Sequence, residues 1–127
     1  MKKENKELKN HNFIDAWKNA FNGIIYATTT QGNIQKQLII AVIVVIVSLF
    51  FNLNRAEFLC FLFTIVLIIF AEMVNTAIET VVDLYVDVYH PKAKIAKDVA
   101  AGGVVITTMN AIIVAYFLFF DKIADIG

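Results

Sequence analysis

A chain of 127 residues holds one compact domain, and with 59% of its residues hydrophobic it is too apolar to be a soluble domain of that size. Eleven Lys and Arg balance eleven Asp and Glu, but the cations are gathered in two stretches, a pattern of membrane topology and anionic lipid and not of a nucleic-acid surface. The lone Cys60 excludes an internal disulfide and reads as a small packing residue.

Residues 1–11 are polar, carry Lys2, Lys3, Lys6 and Lys9, and are expected as a cytoplasmic tail rather than a signal peptide. Over 12–30 the pattern becomes amphipathic. Phe13, Trp17, Ala20, Phe21, Ile24 and Ile25 share one helical face, while Asn12, Asp15, Lys18, Asn19 and Asn22 take the other. This predicts a helix lying in the cytoplasmic interface with Trp17 at headgroup level. A plain anchor explains it, and a lid over a surface site is the functional alternative.

Three apolar segments then approach the ~20 residues that cross a hydrocarbon core about 30 Å thick. They are predicted at 34–53, 57–83 and 97–120, and in the first Leu38 to Phe51 is interrupted only by Ser48. Lys18 and Lys36 precede or open the first span, and Lys92, Lys94 and Lys97 lie between the second and third. The other gaps hold Arg55 and Lys122. The positive-inside rule therefore puts the N-terminus and the 84–98 loop in the cytoplasm. The expected architecture is an all-α membrane protein, one domain over 1–127.

The second span carries a polar stripe. Glu72, Asn75, Thr76, Glu79 and Asp83 fall within a wedge roughly 100° wide at about 100° per residue. Carboxylates at bilayer depth cost at least ~2.5–3.5 kcal/mol each, so a polar partner or ligand is required. Glu72 lies deepest, and desolvation makes a carboxyl at depth a better proton acceptor. Glu79 is placed for a cation or a polar headgroup. A single three-helix subunit offers little bulk to hide this stripe, which favours sharing it between subunits.

Lys97 and Asp98, with Lys94 one turn earlier, return charge to the same boundary at the start of the third span. Carboxylates, an amide and lysines at one interface suit a phosphorylated, Mg²⁺-bound ligand, and helix-end anchoring is the simpler alternative. No glycine-rich phosphate loop, HExxH or CxxC motif occurs, so side chains would have to hold any phosphates. The run Ala100-Ala101-Gly102-Gly103 is expected to allow close helix contact, and Thr107 and Thr108 to bond back to their own helix.

These residues resemble a known family. Glu72-Met73-Val74-Asn75-Thr76-Ala77-Ile78-Glu79 with Asp83, then Tyr89-His90-Pro91 and Ala96-Lys97-Asp98-Val99-Ala100-Ala101-Gly102, are similar to the signature of the small prokaryotic diacylglycerol kinase/undecaprenol kinase family. The resemblance covers about residues 12 to 120 and includes the run Ala20-Phe21-Asn22-Gly23-Ile24. It implies a homotrimer of subunits, each with an N-terminal surface helix and three transmembrane helices, in the bacterial cytoplasmic membrane. It implies shared active sites that phosphorylate a membrane lipid alcohol with Mg²⁺-ATP. By motif position Glu72 is the expected base and Asn75 the residue that positions the reacting groups. Glu79 is the expected metal ligand, Lys97 meets the phosphates, and Asp83 and Asp98 complete the nucleotide side.

One position departs from the pattern. Gln31 stands where the family carries a second metal carboxylate, which removes a full charge from a hard-cation site. The run from Lys97 to Gly102 is more similar to the branch that phosphorylates undecaprenol than to the diacylglycerol branch. Two other classes compete with the kinase: a catalytically weakened lipid- or nucleotide-binding homologue, for which Gln31 is the sign, and an ion-conducting oligomer built on the polar stripe.

Overall fold

The computed structural model describes residues 12–126, and the expected polar tail over 1–11 lies outside the described residues. All regular structure among them is α-helical: α1 (Phe13–Thr30), α2 (Gly32–Ser48), α3 (Arg55–Tyr85) and α4 (Pro91–Ile126).

In α1 the Asn12 side chain caps the helix, accepting the Asp15 amide at 3.0 Å. Its aromatic face is unburied: Phe13 packs edge-on to Trp17 with ring centroids 6.0 Å apart, and Trp17 lies 6.1 Å from Phe21. Phe13, Trp17 and Phe21 are all more than half exposed, as a face turned to lipid requires.

The chain turns by 91° at Gln31, whose backbone is extended, and enters α2. The last carbonyls of a helix need partners from outside it. Here Gln35, one turn into α2, donates its amide to the carbonyls of Thr28 and Thr29, both at 3.1 Å. Behind the corner lies Ile34, only 1% exposed and the largest fully buried side chain described. A buried isoleucine and a doubly donating amide hold α1 nearly perpendicular to the bundle.

Helix α2 is apolar throughout its second half and ends earlier than the predicted residue 53. Beyond Ser48 the bonds tighten to i→i−3, with the Phe50 amide on Val47 and the Phe51 amide on Ser48. Asn52 then takes a left-handed conformation at φ 51°, which asparagine tolerates better than most residues. At ~1.5 Å per residue, 17 residues reach roughly 26 Å, short of a full hydrocarbon core on their own. Helices α3 and α4 are each long and apolar enough to cross a membrane, and the bent pair α1–α2 supplies the third candidate.

A full capping box opens α3: the Asn54 side chain accepts the Glu57 amide at 2.9 Å while the Glu57 carboxylate reaches back to the Asn54 amide. Asn54→Ala is expected to cost about 1 kcal/mol of stability, read as a lower unfolding midpoint in detergent. Helix α4 starts at Pro91, ahead of the predicted 97, because proline suits the first helical position.

Helices α3 and α4 pack antiparallel along their length, tied at one end by Lys122 to Glu57 at 3.3 Å and at the other by Lys97 to Asp83 at 2.6 Å. Phe119 joins the layers, with Phe51 at 5.3 Å and Phe61 at 6.1 Å in edge contacts. Helix α2 packs on α3.

Two local expectations are corrected. Cys60 is exposed and is not packed within the chain. Gly102 and Gly103 make no close helix contact within the chain, and a Cβ on either would meet nothing within 4 Å. The small residues Ala96, Ala100 and Gly103 line, with α3, an open apolar groove of about 610 Å³.

Candidate functional site

Helical periodicity places Glu72, Asn75, Thr76, Glu79 and Asp83 on one face of α3, but the fold treats them unequally. Glu72 and Asn75 are buried, at 5% and 9% exposure, Glu79 is half-buried and Asp83 is exposed. The expectation that one subunit lacks the bulk to hide the stripe therefore fails for its two deepest members. Helix α2 meets α3 at this level through Gln37 and Glu72. Thr76 has a purely local role: its hydroxyl donates to the Glu72 carbonyl at 2.9 Å.

The Glu72 carboxylate accepts a hydrogen bond from the Gln37 amide of α2 at 3.3 Å. One turn on, the Asn75 amide donates to Glu79 at 3.4 Å. That bond orients Asn75 so that its Oδ1 is buried with no partner. A buried carbonyl oxygen without a donor or cation is uncommon and costly.

The charges at the boundary pair across and along the helices. Lys97 of α4 donates to Asp83 of α3 at 2.6 Å, joining two residues singled out from sequence. Asp98 does not join them. It is bonded to Lys94 one turn before it on α4, at 2.6 Å, with both side chains exposed. Gln31 occupies the α1–α2 corner, half-buried and with no side-chain cap bond.

Between α2, α3 and α4 lies a cavity of about 590 Å³. Asn33, Lys36, Gln37 and Glu72 line its polar end, and Ile40, Ile65, Ile68, Ile69 and Phe61 are among its apolar walls. From Glu72 to Phe61 it follows α3 for roughly 16 Å at ~1.5 Å per residue. A carboxylate thus stands at the polar end of a largely apolar trough.

The oxygen chemistry around Glu79 fits a hard divalent cation. Among the described residues no three His, Cys, Asp or Glu side chains gather into a preformed cage. Mg²⁺ does not need one, since it is commonly held by one or two carboxylates plus substrate phosphates. Glu79 and the unpartnered Asn75 Oδ1 supply such a partial donor set.

Gln37 was not singled out from sequence. The available signal was an amide just inside the first apolar run, beside Lys36, where apolar residues prevail. Which residue of α3 it would meet lies outside any single-helix pattern.

Residues 18–119 match the family model described as prokaryotic diacylglycerol kinase. The chain is 36% identical over 104 residues to a protein of Synechocystis named diacylglycerol kinase, covering 81% of this chain and 59% of that protein. It is 33% identical over 111 residues to a Bacillus subtilis protein named undecaprenol kinase, covering 87% of this chain and 90% of that one. The chain thus spans under two thirds of the first relative and most of the second.

Proposed function

The chain belongs to the prokaryotic diacylglycerol kinase family, and on that premise we propose that it transfers the γ-phosphoryl group of Mg²⁺-ATP to the hydroxyl of a membrane lipid alcohol. Undecaprenol is the favoured acceptor over diacylglycerol, on the likeness of the Lys97–Gly102 run to that branch. The observation that carries the reading is the buried Glu72 carboxylate at the polar head of an apolar trough.

A lipid tail laid along α3 brings its hydroxyl to Glu72. The carboxylate takes the hydroxyl proton as that oxygen attacks the γ-phosphorus, and the bond to the bridging β–γ oxygen breaks to release ADP. Asn75 positions the reacting groups. Glu79, Asn75 Oδ1 and the Gln31 amide oxygen are the groups that would hold Mg²⁺, which when bound neutralises charge on the phosphates. Lys97 exchanges Asp83 for phosphate oxygens, and Asp83 and Asp98 order the nucleotide side. Catalysis of this kind is mostly positioning and charge neutralisation. The working unit in this reading is a homotrimer in the bacterial cytoplasmic membrane, with the N-terminus in the cytoplasm.

Gln31 bears on a second reading, a weakened homologue that binds lipid or nucleotide. An amide oxygen at this place leaves the cation one charge short. Gln31→Glu is expected to lower the Mg²⁺ concentration for half-maximal activity by about tenfold, by analogy with the effect of groups that tune metal sites. An unchanged Mg²⁺ titration would remove Gln31 from the metal site.

Phosphate transfer from labelled ATP to undecaprenol and to diacylglycerol in mixed micelles tests the whole reading, with Glu72→Gln as the control for contaminating kinases. Product absent from the control establishes the kinase and ranks the two lipids. No product from a folded oligomer with either lipid favours the binding homologue.

A further inference from the structure

Glu72 is a flexible side chain asked to meet a hydroxyl at one place. No donor on α3 among the described residues holds its carboxylate, and the Thr76 hydroxyl one turn on donates to the Glu72 main-chain carbonyl. Among the described residues the carboxylate has one hydrogen-bond donor, the Gln37 amide, which comes from another helix and 35 positions earlier in the chain. Both side chains line the polar end of the same cavity.

The direction of this bond is fixed by chemistry. The Gln37 amide N–H donates and the Glu72 carboxylate oxygen accepts. The bond uses Oε1 and leaves Oε2 for the acceptor lipid.

We propose that Gln37 is a positioning residue for the phosphoryl-transfer reaction, holding the Glu72 carboxylate at the head of the trough with one oxygen free for the lipid hydroxyl. This rests on the reading of Glu72 as the base. Gln37 touches neither nucleotide nor phosphate in that arrangement; it acts through Glu72. Because α2 carries it, the α2–α3 register sets the base.

The test compares Gln37→Leu, similar in size but without a donor, with Gln37→His, which restores an N–H donor of similar reach. Each is assayed as the full-length protein in mixed micelles alongside Glu72→Gln. Gln37→Leu is expected to lower kcat by about 10–100-fold, the scale for small misplacements of a reacting group. KM for Mg²⁺-ATP and the unfolding midpoint should stay as in the unaltered protein, and Gln37→His should recover most of kcat. An unaltered kcat in Gln37→Leu, with Glu72→Gln inactive, overturns the positioning role and leaves the base in place. Loss of midpoint and of nucleotide KM together, with no recovery in Gln37→His, overturns it in favour of a packing role. Full activity in Glu72→Gln removes the base reading, and this proposal with it.

Discussion

Glu72→Gln is expected to reduce phosphoryl transfer to lipid by about 10²–10⁴-fold, the range for loss of a positioned general base. The amide has the shape of the carboxylate and can still accept from Gln37 through its own oxygen, so the fold should be kept. What it lacks is a basic oxygen. Nucleotide binding should persist, because Glu72 lies deeper than the boundary charges Asp83 and Lys97. The measurement is the initial rate of labelled lipid phosphate formation together with nucleotide affinity. A rate within about twofold of the unaltered protein would remove Glu72 from the proton-transfer step.

Lys97→Met should be nearly as damaging, at about 10²-fold in kcat/KM for ATP, the scale for removing one preorganised positive group from a transferring phosphoryl. Methionine keeps the apolar stem and deletes the ammonium. The Lys97–Asp83 pair also joins α3 to α4, so a structural origin has to be separated from an electrostatic one. Asp83→Asn does this. It removes the charge from the interhelical pair, though an amide oxygen can still accept from Lys97, and should lose less activity than Lys97→Met. Equal losses in the two variants, matched by equal drops in the unfolding midpoint, would make the pair a helix tie and nothing more.

The reason Lys97 and Asp98 differ is geometric. Neighbours in a helix point about 100° apart, so two adjacent charges at the start of α4 cannot both face α3. Lys97 turns toward Asp83, whereas Asp98 turns to Lys94 on its own helix. The motif made them one cluster, but the helix separates them. The Lys94–Asp98 pair is exposed and weakly held.

Much of the architecture was legible residue by residue. The amphipathic period of Phe13, Trp17, Phe21 and Ile24 marked α1, long apolar runs marked the other helices, and the Glu72–Asp83 spacing placed the polar groups on one face. These are properties of a helix considered alone, where 3.6 residues per turn converts spacing into direction. Composition likewise required a bilayer, because large apolar side chains such as Ile43, Phe63, Phe70 and Ile106 lie exposed on the chain.

Contacts between helices could not be read that way. The 91° corner depends on Gln35 reaching back to Thr28 and Thr29, and the burial of Glu72 and Asn75 depends on how the helices pack around α3. The Gln37–Glu72 bond joins residues with no local relation in the chain. Periodicity says which way a side chain faces about its own axis; the relative register of two helices is set by how their side chains interlock. The polar stripe and its membrane setting therefore belonged to the sequence, and the donor that Glu72 finds among the described residues to the packing.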